Sequence, residues 1–224
     1  MSKKILVFLA DGLEEIEAIT QIDILRRAGF EVTTITLADD IVHGSHDIDI
    51  KADEKIDNVI IAEYDGIVLP GGMPGSTNLR DDERVINAVK KMDSNDKLVA
   101  AICAAPIVLE KANALKGHKF TIHPSVEDKI KNESSGERTV IDDNIITGIG
   151  PGAAIEFPAS SSLDTSSVRR PKRHSAMRNA PETVILPKRD EPTIFDFVMK
   201  KLEAVFISQP KPYSPVEFSP ALTR

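Results

Sequence analysis

The chain has few of the residues that cross-link proteins or span membranes. It contains one cysteine, Cys103, and no tryptophan, and aromatic residues make up only 4% of its 224 residues. A single cysteine excludes an internal disulfide and a zinc site built from several cysteines. No apolar run approaches the roughly 20 residues that a membrane-spanning helix requires. We therefore expect no membrane partner.

Basic residues are outnumbered by acidic ones. The sequence has 28 Lys and Arg against 35 Asp and Glu, a net charge of -7. Repulsion from a polyanion argues against a general nucleic-acid binder, so no specific nucleic-acid partner is predicted. The apolar segment 5–10 is followed at once by acidic residues and by no small-residue cleavage site, which is not typical of a signal peptide. We expect a cytoplasmic protein.

Short apolar runs alternate with helical patterns over residues 1–157, which predicts one domain with a parallel sheet covered on both faces. Strands are expected over 4–10, 31–37, 66–69, 97–102, 119–122, 139–141 and 144–147. Helices are expected over 14–28, 81–91, 104–114 and from Ala153, with a hairpin excursion within 41–61. The predicted fold class is α/β, a doubly wound sandwich whose ligands bind at the carboxyl ends of the strands.

The composition changes at Pro158. Residues 158–191 are rich in Ser, Pro, Arg and Lys, as in a flexible insert or linker. Residues 192–207 regain a helical apolar period and predict a terminal helix, and 208–224 form a proline-rich tail. The basic cluster Arg169–His174 has three interpretations, a nuclear-import signal, a site for an acidic partner or a solvated disordered linker, and the linker is favoured.

The stretch around Cys103 carries the strongest catalytic signal. An apolar strand leads to this cysteine, small residues follow, and a helix is predicted from Ala104. Such a pattern predicts a sharp elbow like the one that presents the serine of α/β-hydrolases. The amino end of the helix is expected to lower the thiol pKa and so favour the nucleophilic thiolate. A buried structural cysteine is the usual alternative, but the elbow favours the reactive one.

Two other segments end at the same predicted edge of the sheet. The glycines after strand 66–69 expose backbone N–H groups, so Gly72 and Ala104 are candidates for an oxyanion hole, although an ordinary glycine turn would also explain the motif. The helix over 14–28 has an apolar side, and Glu17 lies among apolar helical neighbours, so we expect it to point inward. If Glu17 faces Cys103, the two groups should share a proton. The apolar side consists of Ile16, Ile19, Ile22 and Leu25.

Three histidines are candidate functional groups. His123 follows the predicted strand 119–122 and is a candidate acid or base, although most isolated histidines are not catalytic. His43 and His46 lie in a polar turn, with no carboxylate or cysteine spaced in sequence to complete a site. The sequence predicts no metal.

Four motifs then occur in one order: Ala10-Asp11-Gly12 with Glu14-Glu15-Ile16-Glu17, Leu69-Pro70-Gly71-Gly72, Ala101-Ile102-Cys103-Ala104 and Gly150-Pro151-Gly152. Together they resemble the ThiJ/PfpI superfamily, in the branch of the parkinsonism-associated protein deglycase, over residues 3–157. The resemblance implies a flavodoxin-like domain that forms homodimers and needs no cofactor.

The same resemblance assigns roles to residues. It implies that Cys103 is the oxidisable nucleophile, that the Glu17 carboxyl group is bonded to it, and that His123 is the nearby histidine. It also implies that Gly72 and Ala104 supply backbone donors. A peptidase is disfavoured, because the protease-like branch has a histidine directly after the cysteine, where this chain has Ala104.

Two functions follow from the resemblance. One is a glyoxalase or deglycase that acts on small dicarbonyls such as methylglyoxal or on their glycated adducts. The other is a cysteine-based oxidative-stress sensor or chaperone in which catalysis is incidental. Two departures from the family pattern are Ile149, where a polar or basic residue is usual, and Pro158, which interrupts the last helix.

Overall fold

The computed structural model describes residues 2–155 and residue 157. The predictions for 158–191, for the terminal helix 192–207, for the tail 208–224 and for the basic cluster Arg169–His174 lie outside the described residues.

A mostly parallel sheet forms the centre of the molecule. Seven strands pair in the order β5-β2-β1-β6-β7-β9-β8, and β3 and β4 form a separate antiparallel hairpin. All pairings in the large sheet are parallel except β8 with β9. The strands are β1 Lys4–Leu9, β2 Glu31–Thr36, β3 Ile41–His43, β4 Asp49–Lys51, β5 Glu54–Lys55, β6 Gly66–Leu69, β7 Leu98–Ile102, β8 Thr139–Asp142 and β9 Ile145–Gly148. The predicted flavodoxin-like α/β fold class is confirmed.

Alternate residues of the central strands enter two cores, one on each face of the sheet. In β1, Leu6 and Phe8 join one core while Val7 and Leu9 join the other. Strands buried on both faces must be apolar throughout, which is why they are continuous apolar runs in the sequence. None of the helices in the described part of the chain is long and apolar enough to cross a membrane.

The helices differ from the predicted ones in their bounds. They are α1 Glu15–Arg27, α2 Gly75–Asp81, α3 Glu83–Ser94 and α4 Pro106–Lys111. The helix expected over 81–91 is α3, which begins where the Asp82 side chain accepts a hydrogen bond from the backbone N–H of Arg84 at 2.8 Å. The helix expected over 104–114 is the shorter α4, and the turn at Pro151–Ala153 is a 3-10 helix.

The strand predicted over 119–122 is wrong. Two of its N–H groups donate to side chains rather than to a neighbouring strand: Lys119 to Asp142 Oδ2 at 2.8 Å and Thr121 to Thr147 Oγ1 at 2.9 Å. Phe120 and Ile122 are buried, which explains the strand-like apolar pattern. The apolar pattern of 119–122 therefore reflects the burial of these side chains and not pairing with a neighbouring strand.

Helix α1 buries only part of the apolar side indicated by the sequence: Leu25 is fully buried and Ile22 packs against the core. Ile16 and Ile19 are 58% and 46% exposed, whereas Glu17, Ala18 and Gln21 are buried. The polar groups can be buried because they are bonded. Glu17 accepts from the N–H of Gly71, and the Gln21 amide donates to the Ala154 carbonyl at 3.3 Å. Long-range hydrogen bonds thus override the helical apolar stripe.

The hairpin of β3 and β4 is fastened to the start of α1. The buried carboxylate of Glu15 accepts from the backbone N–H of His46 at 2.5 Å and lies 2.8 Å from its Nδ1. Burial opposes ionisation of Glu15, but these hydrogen bonds outweigh it and lower its pKa to about 2. The same contact raises the pKa of His46. This contact holds the first turn of α1, which carries Glu17.

The corrected orientation of α1 can be tested by paired truncations. Leu25→Ala should lower the free energy of unfolding by about 2–5 kcal/mol, because Leu25 is fully buried and a cavity remains. Ile16→Ala should change it by no more than about 0.5 kcal/mol, because that side chain is mostly exposed. Urea unfolding at two protein concentrations measures both. Equal losses would contradict this orientation, unless the Ile16→Ala effect depends on concentration, which would reveal a second copy covering it.

Candidate functional site

The site lies at the carboxyl edge of the parallel sheet. Strand β7 ends at Ile102 and delivers Cys103, and β6 ends at Leu69 just before the Gly71–Gly72 turn. Glu17 reaches the same place from the first turn of α1. Parallel strands place their carboxyl ends together, so this is where the fold gathers loops for chemistry.

Cys103 has a strained backbone. Its φ is 63°, in the left-handed region, which costs a side chain with a Cβ about 1–2 kcal/mol. The other non-glycine residues with positive φ in the described part of the chain are aspartates or asparagines, which tolerate this region. Two hydrogen bonds hold the turn: the N–H of Cys103 donates to Gly148 O at 2.8 Å, and the N–H of His123 donates to Cys103 O at 2.9 Å. This is the elbow that the sequence predicted.

Glu17 is fully buried beside this elbow. Its Oε2 accepts the N–H of Gly71 at 2.8 Å, and its Oε1 has no hydrogen-bond partner among the described residues. Burial raises the pKa of Glu17 to about 7; its interactions with Cys103 and with the N–H of Gly71 oppose the rise, and the nearby charge of Glu14 adds to it. The inward orientation predicted for Glu17 is confirmed.

The thiol of Cys103 is not the low-pKa group that the sequence indicated. Burial and the neighbouring Glu17 raise its pKa to about 12, and the backbone N–H groups of Gly72 and Ala104 only partly oppose this rise. The amino end of the helix was expected to lower the thiol pKa. This effect is small because α4 begins only at Pro106 and has six residues. The expectation of a lowered pKa is therefore corrected.

Glu17 and Cys103 titrate as one pair. Two negative charges this close and this buried repel, so the pair loses one proton near neutral pH and keeps the second until strongly alkaline pH. Above about pH 7 the pair is a monoanion, either carboxylate with thiol or carboxyl with thiolate. A proton transfer between them creates the nucleophile without any proton leaving the site.

Gly71 is the residue that the sequence reasoning missed. A Cβ placed there would lie 2.4 Å from Oε2 of Glu17 and 2.6 Å from Cβ of Cys103, closer than atoms can approach. Only glycine therefore fits between the two groups. The sequence indicated its neighbour Gly72 as the backbone donor. Both glycines belong to the same Leu69-Pro70-Gly71-Gly72 motif, so the motif could have pointed to Gly71 as well.

His123 lies on the other side of Cys103. A Cβ on Gly150 would lie 3.2 Å from Cδ2 of His123 and 3.9 Å from Sγ of Cys103, so both border the same small space. The N–H of Ser125 donates to Nδ1 of His123 at 3.2 Å, and Ser125 Oγ lies 2.8 Å from the same nitrogen. Because Nδ1 is an acceptor, a neutral ring carries its proton on Nε2. His123 can therefore donate a hydrogen bond from Nε2.

Ile149 is apolar where a polar or basic residue is usual, but a basic side chain from elsewhere in the chain lies nearby. The guanidinium group of Arg138 donates to the carbonyl of Gly152, and the N–H of Ile149 donates to the carbonyl of Arg138 at 2.9 Å. A positive charge therefore stands beside the Gly150–Gly152 turn although position 149 is apolar. Sequence reasoning missed Arg138, because nothing in its local pattern connects it to this turn.

The histidines of the polar turn have carboxylates beside them in space. His43 Nδ1 lies 2.7 Å from Asp49, and His46 Nδ1 lies within 4 Å of both Glu14 and Glu15. Glu14 and Glu15 are distant in sequence from His46, so spacing along the chain could not reveal them. His46 and Glu15 are hydrogen-bonded to each other, which explains why they lie together.

Comparisons with known proteins agree with this fold and site. Residues 3–162 match the DJ-1/PfpI family. Protein dj-1beta of Drosophila melanogaster is 41% identical over 161 residues, which are 70% of this chain and 86% of that protein. A protein of Thermococcus kodakarensis named a deglycase is 32% identical over 152 residues, 66% of this chain and 91% of that protein. The structure of oxidized DJ-1 from Toxoplasma gondii has a TM-score of 0.68 and 39% identity, covering 71% of this chain and 88% of that one.

The family match over residues 3–162 includes every element that positions Cys103 and Glu17. The matches confirm the resemblance that the four sequence motifs indicated. The chain belongs to the DJ-1/PfpI family.

Proposed function

We propose that this protein is a cofactor-independent enzyme of the glyoxalase or deglycase type, in which Cys103 attacks small dicarbonyls such as methylglyoxal or their adducts. The observation that carries the proposal is the pair of Glu17 and Cys103, a fully buried carboxyl group packed across Gly71 from a thiol on a strained turn. A reactive carbonyl needs a nucleophile and a proton carrier at one carbon, and this pair supplies both.

The first step forms a bond between Sγ and the aldehyde carbon. The Glu17 carboxylate takes the thiol proton as sulfur attacks, and the carbonyl π electrons move to oxygen. The N–H groups of Gly72 and Ala104, which face the sulfur, stabilise the negative charge that develops. The proton that Glu17 took from sulfur then passes to this oxygen, while Nε2–H of His123 donates a hydrogen bond to it, which gives a neutral hemithioacetal and returns Glu17 to the carboxylate.

The second step moves hydrogen between the two carbons. Glu17, again a carboxylate, removes the proton from the former aldehyde carbon, and the resulting enediol takes up a proton at the neighbouring carbon. The product is a thioester of Cys103 with a 2-hydroxy acid. Water then cleaves the thioester and restores the thiol, so methylglyoxal and one water become lactate with no external oxidant or reductant.

The relatives support this reaction class. The Thermococcus protein carries the name deglycase and matches this chain over 91% of its own length. The catalytic roles proposed here for Cys103, Glu17 and His123 use only groups of this chain. Therefore no cofactor and no metal is required for turnover.

We also infer a homodimer. The exposed isoleucines of α1, Ile16 and Ile19, form an apolar surface on the helix that carries Glu17. Ile41 and Ile48 of the adjoining hairpin segment are nearly half exposed as well. Covering these side chains with a second copy would remove apolar area from water, which favours association.

A redox sensor is the second candidate, and one comparison favours it. The DJ-1 structure from Toxoplasma gondii is described as oxidized. A thiolate attacks peroxide to give a sulfenic acid and water, and a second peroxide takes it to the sulfinic acid. A protonated Glu17 and the N–H groups of Gly72 and Ala104 would bond the sulfinate oxygens.

Removal of the nucleophile tests the enzyme proposal. Cys103→Ser should lower formation of lactate from methylglyoxal, without glutathione and in the presence of EDTA, by more than about a thousand-fold. Ser94→Ala, at the exposed end of α3, is prepared in parallel and should keep the full rate. A Cys103→Ser protein with the rate of the Ser94→Ala control would show that the thiol is not the nucleophile.

The pH profile tests the role of Glu17 as the base. Because its raised pKa is about 7, the carboxylate is scarce below that pH, so kcat/KM should rise about tenfold per pH unit up to neutrality. Glu17→Gln should abolish this limb together with most of the activity. The matched change Glu14→Gln removes a charge that raises the Glu17 pKa, so the limb should survive and move to lower pH. A limb that persists unchanged in Glu17→Gln would exclude Glu17 as its source.

Mild peroxide tests the sensor candidate. Peptide mass spectrometry should show about two added oxygens on Cys103, the sulfinic stage. Glu17→Ala should reduce this product because the bonding carboxyl group is lost, whereas Glu14→Ala should not. An unmodified Cys103 under peroxide that oxidises free cysteine would reject the sensor, and measuring lactate formation on the same samples separates sensor from enzyme.

A further inference from the structure

A second cluster of metal-ligating side chains lies at the opposite edge of the sheet from Cys103. Asp142 ends β8, and Asp143 follows it in the tight turn that leads to the amino end of β9. His118 follows α4 and comes to the same place. One ligand atom from each of the three side chains lies within 4.8 Å of the others, and all three residues are partly buried.

The spacing within this cluster suits a bound ion better than a hydrogen bond. Nδ1 of His118 is 3.6 Å from Oδ2 of Asp142. A nitrogen and an oxygen that share a proton are normally about 2.7–3.2 Å apart. Two ligand atoms at zinc distances of about 2.0–2.1 Å in a tetrahedral arrangement are about 3.4 Å apart, close to the observed separation.

An orphaned nitrogen is an independent sign of a missing ligand. Nδ1 of His118 is out of contact with solvent and has no hydrogen-bond partner among the described residues. Buried polar atoms are nearly always paired, so such an atom calls for an explanation, and an ion is one of the common ones. The ion-pair distance to Asp142 is too long to satisfy it.

The surroundings hold the carboxylate in place. Oδ2 of Asp142 accepts the backbone N–H of Lys119 at 2.8 Å, the kind of contact that orients a metal ligand. The ammonium group of Lys119 is paired with Glu137 instead. The charge of Lys119 therefore does not neutralise the carboxylate of Asp142.

The geometry points to a site for a divalent transition metal, with Zn²⁺ as the best fit, bound by Nδ1 of His118 and the carboxylates of Asp142 and Asp143, with water completing the coordination. The histidine ligand argues against Mg²⁺ and Ca²⁺ at this site, because these hard ions take oxygen ligands. Bound metal would join the segment after α4 to the turn between β8 and β9. The site is separate from the Glu17 and Cys103 pair and does not depend on the proposed function.

Zinc binding to the full chain tests the inference. The protein carries Cys103→Ser so that the thiol does not compete for Zn²⁺, and equilibrium dialysis should then find one Zn²⁺ per chain. His118→Asn and Asp143→Asn should each weaken binding by more than about tenfold. The matched control is His46→Asn, which removes the other histidine that lies beside two carboxylates, and it should leave binding unchanged.

Thermal unfolding provides the second measurement. Zn²⁺ should raise the Tm of the Cys103→Ser protein, because a ligand of the folded state stabilises it, and should not raise the Tm of the His118→Asn form. Thermal unfolding without metal shows whether each variant folds. If one of His118→Asn and Asp143→Asn does not fold, the other one alone tests the site. The inference is overturned by the absence of saturable Zn²⁺ binding, by binding that survives both substitutions, or by binding that is lost in His46→Asn.

Discussion

The contact between the Glu17 carboxyl group and the Cys103 thiol constrains the rest of the structure. A buried carboxylate beside a thiolate is unfavourable, so the pair keeps one proton and its environment must supply donors rather than charges. The N–H groups of Gly71, Gly72 and Ala104 supply them. This requirement explains a glycine at position 71, where any side chain would strike both groups.

The scaffold gathers the pair from distant parts of the chain. Strand β7 and the strained turn at Cys103 fix the sulfur, while α1 must bury Glu17 to reach it. Turning that polar side inward leaves Ile16 and Ile19 in solvent. The exposed apolar surface that supports a dimer is thus a consequence of how the site is built. The proposed chemistry and the proposed homodimer would therefore depend on the same helix.

Most of the fold could be predicted because buried parallel strands are apolar on both faces and therefore conspicuous. The segment 119–122 was misassigned because Phe120 and Ile122 are buried without pairing, and local pattern does not distinguish these cases. The motifs also located Cys103, Glu17 and Gly72 correctly at one edge of the sheet. The roles of Ser125 and Arg138 were missed, since each acts through a contact that only the folded loops create.

The sequence by itself determined that an apolar strand ends in a cysteine followed by small residues, and this pattern dictates the elbow at Cys103. Tertiary structure decided the protonation of that cysteine, because its pKa depends on burial and on Glu17, which is far away along the chain. It also decided which side of α1 faces the sheet and which carboxylates meet His118. Such outcomes depend on distances between residues remote in sequence, and periodicity carries no information about those distances.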